Sequence, residues 1–416
     1  MNLTTKTINR LSSVVLSLVI VLTATFVVAA ETVTIWVGDG DVRLREYQAM
    51  ADLFMQLNPD IKIELQLQSG SQGQIMQKLA LAIVGGAPPD LSWVEGSAVL
   101  EFAAQGLLMD VTDTLRGMRF APADTQEMTY NGRMYAVPYH TAARGLFKRV
   151  DYFENAGLNP NNDPQTLEQM YEWHLKLTDV TSDGRYNRVG MMPWVGNWGA
   201  PGWIWAFGGD LIEVNGSKIK VTADNPKNLA AFEWIHNWAQ SLGNQSPVSG
   251  GHTGFLNGTV AMSTESTSSV NRLLAANVPF ATGRVPNAPG GRNGTWGGGT
   301  AIGVPINAPN PELSLRVAKF FGSTEAQIER FSVAPDTMPA NWEALLRVGQ
   351  RLPKEWLPLL DQFPEARPRI PLWIEYYVNQ LNPAMNRVVL GQSKPQEELM
   401  NIQRVMEIRY AEIFGN

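Results

Sequence analysis

From residue 31 onward the apolar positions switch repeatedly between two periods. Thr32–Val37 (TVTIWV) is a β-branched apolar run of strand length. Leu44, Tyr47, Ala51 and Phe54 follow at helical spacing, and Asn58–Pro59 ends that helix. Ile61, Ile63, Leu65 and Leu67 alternate with polar residues, the mark of a half-buried strand. Ile75, Leu79 and Ile83 predict a second helix that Gly85–Gly86 stops, Asp90–Val94 a short strand, and Ala98–Gly106 a third helix. A β-α-β-α-β order predicts a parallel, doubly wound sheet, whose ligands bind beyond the carboxyl ends of the strands. The loops at those ends are Gly38–Arg43, Ser69–Gln74 and Glu95–Ser97, which offer Asp39, Asp41, Ser71, Glu95 and Ser97. Trp36 closes the first strand beside them.

Beyond this repeat, Tyr135–Val150 reads as extended and too long for one lobe, with Tyr139 inside it. Thr166–Thr178 and Pro226–Leu242 predict helices, the second opened by the pair Asn225–Pro226. Between them Trp194, Trp198, Trp203 and Trp205 crowd a stretch rich in Gly, Pro and Asn. Trp205, close to Phe207, reads as core; the other three sit where a loop cannot easily bury them all. Aromatic faces suit the C–H faces of sugars, and an indole N–H reaches a hydroxyl. Asn310–Pro311 opens a helix to about Phe321, and Leu372–Phe414 is largely helical with a break at Gly391.

The first 30 residues stand apart from this pattern. Lys6 and Arg10 precede an apolar run, Leu11–Ala30, that ends in small residues, as a cleaved secretory signal peptide does. Without it, 31 basic residues face 39 acidic ones, a net charge of −8. That balance argues against a nucleic-acid partner. Cysteine is absent, so disulfides, thiolate metal sites, thiol nucleophiles and a lipid-bearing N-terminal cysteine are excluded. The four histidines are scattered, no dinucleotide or phosphate-loop motif has its strand–helix context, and neither cofactor nor metal is expected.

Five segments together resemble the family 1 extracellular solute-binding proteins, the exported receptors of ABC importers for sugars and related solutes. They are GGAPPDLSWVEGSAVLEFAAQGLLMDVTD (85–113), YNGRMYAVPYHTAARGLFKRVDYFENAGLNP (130–160), FLNGTVAM (255–262), GGGTAIGVP (297–305) and VLGQSKPQEEL (389–399). The resemblance implies two doubly wound α/β lobes, periplasmic-binding-protein-like, joined by a hinge of crossover strands near His140–Ala143, Trp296–Ala301 and Pro335–Pro339. One lobe would take residues 31–141 and 299–335, the other 142–298 and 336–416. It implies a carbohydrate captured between the lobes, delivery to membrane permease subunits, a periplasmic monomer and no catalysis. It also implies ligand roles for Glu95, Ser266, the backbone of Trp296, Gly298 and Gly299, and Arg369 with Trp373 nearby.

Two alternatives stay open. Glu95, Ser266, the glycine run and Arg369 fit the glycerol 3-phosphate or glycerophosphodiester receptors of that family. Ser71 and Thr337, however, stand where that pattern has tyrosines, and Ala142 replaces a serine. An exported glycoside hydrolase would also combine Trp platforms with carboxylates, and would need two of them about 5–9.5 Å apart across a cleft.

Overall fold

The computed structural model describes residues 31–215, 218–243 and 250–415. The expected signal peptide lies outside them. No helix among the described residues is long and apolar enough to cross a membrane.

The chain first builds one lobe. β1 (Glu31–Val37) leads through α1 (Gly40–Leu57) to β2 (Ile61–Leu67), then α2 (Gln72–Val84), β3 (Leu91–Glu95), α3 (Val99–Ala104), α4 (Pro122–Glu127) and β4 (Val137–Pro138). β1 pairs parallel with β2 along its whole length and with β3 on its other side. Val33, Ile35 and Val37 are sealed in the core, as the β-branched run requires. The helices start by local chemistry. Ser71 caps α2, accepting from the Gln74 amide while the Gln74 side chain accepts from the Ser71 amide. α1 starts at Gly40, inside the expected loop, so Asp41 belongs to its first turn and Asp39 precedes it at φ 67°.

β5 (His140–Thr141) then carries the chain into the second lobe. β6 (Arg144–Arg149) is the centre of a three-stranded sheet with β7 (Met262–Ser266) and β8 (Phe280–Gly283), both antiparallel to it. The α/β architecture thus covers both lobes, but the strand direction expected from a doubly wound fold is found only in the first. Around this sheet pack α5 (Leu167–Leu177), α6 (Gly199–Ala206) and α7 (Pro226–Ser241). Thr166 and Asn225 cap α5 and α7 through their side-chain oxygens.

The return strand β9 (Thr300–Gly303) enters the first sheet antiparallel to β3 and β4, giving the order β2-β1-β3-β9-β4. α8 (Pro311–Phe321) and α9 (Thr324–Val333) complete that lobe, and β10 (Met338–Pro339) crosses back, paired antiparallel with β5. α10 (Trp342–Gly349), a π-helix over Ile374–Leu381, α11 (Asn382–Val389) and α12 (Pro395–Phe414) finish the second lobe. One core follows the first sheet; the second lobe has two, one around Trp203 and Trp205, the other around Phe147 and Trp356.

A buried ion pair locks α9 to α1. Arg330 Nη1 lies 2.9 Å from Glu46 Oε1, both side chains sealed from solvent. Arg330 also donates to Thr337 Oγ1 and its carbonyl, which ties the third crossover to the same point. Removing one member of such a pair strands the other in low dielectric. Arg330→Ala should therefore cost about 3–5 kcal/mol in urea denaturation at an unchanged slope. A loss below about 1 kcal/mol would show that Arg43 and the Tyr139 hydroxyl satisfy Glu46 without it.

Candidate functional site

The two lobes meet where the turn after β3 touches the segment between β8 and β9. The Gly96 amide donates to the Gly299 carbonyl, and Gly299 lies so close to His140 that a Cβ there would collide with the histidine. Gly298 holds φ 86° against Glu127, a conformation side chains rarely adopt. Across this seam reaches Arg369, from a stretch that runs beside Thr295–Gly297 in the second lobe. Its guanidinium pairs with Glu95, with Glu127 at 2.7 Å and with the Gly299 carbonyl. Attraction to the two carboxylates raises its pKa above the ordinary arginine range against the cost of burial.

This arrangement changes the role of several expected ligand residues. Glu95 is buried, with one oxygen on Arg369 and the other on the Ser97 amide and hydroxyl. Arg369 and Ser97 are thereby engaged with protein, and the phosphate-binding arginine of the sequence reading is already neutralised. Glu95 and Glu127 share one guanidinium and do not face each other across a gap, as a hydrolase pair must. Tyr139 is core: it stacks 4.8 Å from Tyr47 and donates to Glu46. The Ser71 hydroxyl serves as the helix cap. Trp36 lies half-buried beneath Lys78 and donates to Gln66 on the neighbouring strand.

The tryptophan stretch also folds differently from expectation. It forms α6, with Trp198 at its N-terminal boundary, and a helix buries what a loop would expose. Trp198 and Trp203 are sealed at 0% exposure, and Trp203 Nε1 donates to the Pro193 carbonyl. As binding platforms both are corrected to core. Trp205 is core as expected, bonded to Asp210. Only Trp194 of the three keeps a half-exposed ring. Trp296 and Trp373 pack 5.0 Å apart with Tyr377 against them, and Trp296 Nε1 is spent on the Trp198 carbonyl. Ser266 pairs its hydroxyl with Ser268.

Four groups at the seam escaped the sequence reading. Arg144 stacks on Trp296 and donates to its carbonyl at 2.6 Å. Asn197 is exposed and bonds Glu265 at 3.1 Å. Asp124 is buried beside Glu127, and neither carboxylate oxygen has a hydrogen bond of ordinary geometry. Glu101 on α3 accepts from the Leu372 amide of the other lobe at 2.8 Å, and burial pushes it up to about 7. For Arg144 and Glu101 the available signal was a charge lying alone in an apolar run. Two hollows flank α3: one of about 370 Å³ between Leu100, Tyr130, Asp210 and Phe414, the other of about 200 Å³ between Ser97, Glu101, Leu372 and Glu375.

With this geometry in hand, comparison places the chain. It belongs to the bacterial extracellular solute-binding protein family, whose model matches residues 41–328. It is 26% identical over 209 residues to the diacetylchitobiose binding protein DasA of Streptomyces coelicolor, an alignment covering 49% of this chain and 47% of that protein. The chain thus matches about half the length of this relative. Among solved structures it resembles CpMnBP1 with mannobiose bound, at TM-score 0.74 and 22% identity over 90% of this chain and 99% of that one. It resembles equally UgpB of Mycobacterium tuberculosis in complex with glycerophosphocholine, at TM-score 0.74 and 20% identity over 91% and 98%. A family of solute-binding proteins removes the hydrolase alternative.

Asp124 gives the seam a pH signature. Burial, and next the Glu127 charge, push it up to about 8 from its ordinary 3.8. Between those values the native state holds a proton that the unfolded chain has released. Its contribution to stability is therefore greatest at low pH and falls as pH rises through this window. Asp124→Asn should match the parent at about pH 3.5 and exceed it at about pH 8.5, the gap growing by at most about 1.4 kcal/mol per pH unit between them. Thermal unfolding of both proteins across that range is the check, and a gap independent of pH would refute the shift.

Proposed function

We propose that this protein is the substrate-binding component of an ABC importer, taking a carbohydrate between its lobes and handing it to membrane permease subunits. Family membership carries the reading, and the seam supports it: three paired or adjacent crossovers, and an exposed Asn197 next to Gly196, which lies against the Ser263 and Thr264 hydroxyls, with a partly exposed Trp194 two residues before that glycine. The lobes divide near residues 31–141 with 299–335, and 142–298 with 336–416. Export by a cleaved leader would put it, as a monomer, in the periplasm.

The phosphodiester reading rests on the likeness to the glycerophosphocholine complex. It loses support because Arg369, its counter-ion, already faces two carboxylates.

A thermal-shift screen of mono- and oligosaccharides tests the function. A ligand binding only the folded state adds about 2.7 kcal/mol at a hundred times Kd. Solution scattering with the best ligand should then give a smaller radius of gyration. Trp194→Ala should weaken that binding by about 1–2 kcal/mol while leaving the fold intact. Trp203→Ala should instead cost about 3–5 kcal/mol of stability. Normal sugar binding by Trp194→Ala would place the aromatic contact elsewhere.

A further inference from the structure

Arg144 is a buried cation without an anion. It opens β6 opposite Ser266, the last residue of β7, and its backbone is clamped by Thr295, which accepts from the Arg144 amide at 3.0 Å and donates to its carbonyl at 2.9 Å. The guanidinium carbon sits 3.0 Å from the centre of the Trp296 ring. Nε donates to the Asn197 carbonyl at 3.1 Å and Nη1 to the Trp296 carbonyl, both neutral acceptors. Nη2 has no protein acceptor among the described residues. The residue is 9% exposed, and Asn197, whose carbonyl meets Nε, is itself exposed.

The other buried cations all have a carboxylate partner. Arg43 has Glu46 and Asp336, Lys148 has Asp163, Arg149 has Asp151, and Arg330 has Glu46. Arg144 has no carboxylate within 4.0 Å among the described residues. Burial is the first cause of its lowered pKa of about 9, and the like charge of Arg369 the second. Of the groups that favour its charge, Tyr377 is a neutral phenol and Glu127 is already held by Arg369. Stacking on an indole offsets only part of the desolvation of a guanidinium. A rigidly held cation with one donor edge open is the arrangement a transient anionic partner completes.

We infer that Arg144 selects for a saccharide bearing a carboxylate, with the acidic group paired to its open edge. This rests on the carbohydrate reading and narrows it to uronic-acid-type ligands. The chemistry required is a single negative charge: one guanidinium, with most of its donors already spent and Glu127 close behind, suits a monoanion better than a phosphate dianion. A carboxylated sugar and a glycerophosphodiester both carry that charge, so the test includes both.

Titration calorimetry of the exported chain would compare galacturonate and an aldobiouronic acid with neutral mono- and disaccharides and with glycerophosphocholine, at low and high salt. Expected is binding of an acidic saccharide at least about tenfold tighter than its neutral counterpart, weakened by salt. Arg144→Gln should remove that advantage while neutral-sugar affinity stays within about threefold, and Arg144→Lys should restore part of it. If Arg144→Gln does not fold, the parent's preference and salt dependence, with the Lys variant, still decide. Neutral sugars bound as well as or better than acidic ones would overturn this inference and leave the carbohydrate function standing. An acidic preference that Arg144→Gln leaves unchanged would overturn the role of Arg144. Binding of glycerophosphocholine alone, or of no saccharide at all, would overturn the carbohydrate reading and this inference together.

Discussion

The contact on which the rest of the molecule turns is the bridge from Arg369 to Glu95 and Glu127. One guanidinium from the second lobe joins two carboxylates of the first, all three almost removed from water. Charges at that depth are tolerated only when paired and bonded, so the bridge fixes the surrounding chain closely. It requires the turn after β3 to lie against Gly299, and Gly299 to lack a side chain because His140 fills that space. His140 in turn is kept neutral by burial and by the three arginines around it. Strand ends, glycine run and crossover are thus parts of one packed seam.

Most of the first lobe was legible in the sequence. Alternation in Ile61–Leu67 and helical spacing over Ile75–Ile83 are local signals there, as is the Asn225–Pro226 start of α7 in the second lobe, and each matches an observed element. Ile61, Ile63, Ile75, Leu79 and Ile83 are buried as periodicity requires, whereas Leu67 at the strand's end is exposed. Strand direction in the second lobe had no such signal. Whether β6 pairs parallel or antiparallel depends on connections more than a hundred residues long. The tryptophan stretch misled for a related reason: Gly and Pro suggested loop, whereas packing around Trp203 and Trp205 made a short helix favourable there.

The site was less legible than the fold, because a residue's partners are not visible in its neighbours along the chain. Glu95 and Ser97 lie at the seam, as strand-end reasoning required, and Arg369 joins them from the segment the resemblance pointed to. Their hydrogen-bonding capacity nevertheless goes to one another. Tyr139 lay in the right segment but on the face that meets Glu46. Arg144 was passed over because a single arginine at the head of an apolar strand resembles an ordinary strand boundary. Its meaning comes from Trp296, 152 residues away, and from the carboxylate that is not there.

The bridge at Arg369 also has a mechanical consequence. Its bonds span only a few ångströms and break if the groups separate by much more. Any rotation of the lobes that preserves them must have its axis passing near that guanidinium. Displacement then grows with distance from the axis, as along the arms of a lever. The seam itself would scarcely move. A substitution at the fulcrum would change how far the arms swing, and one at the tips only what they touch.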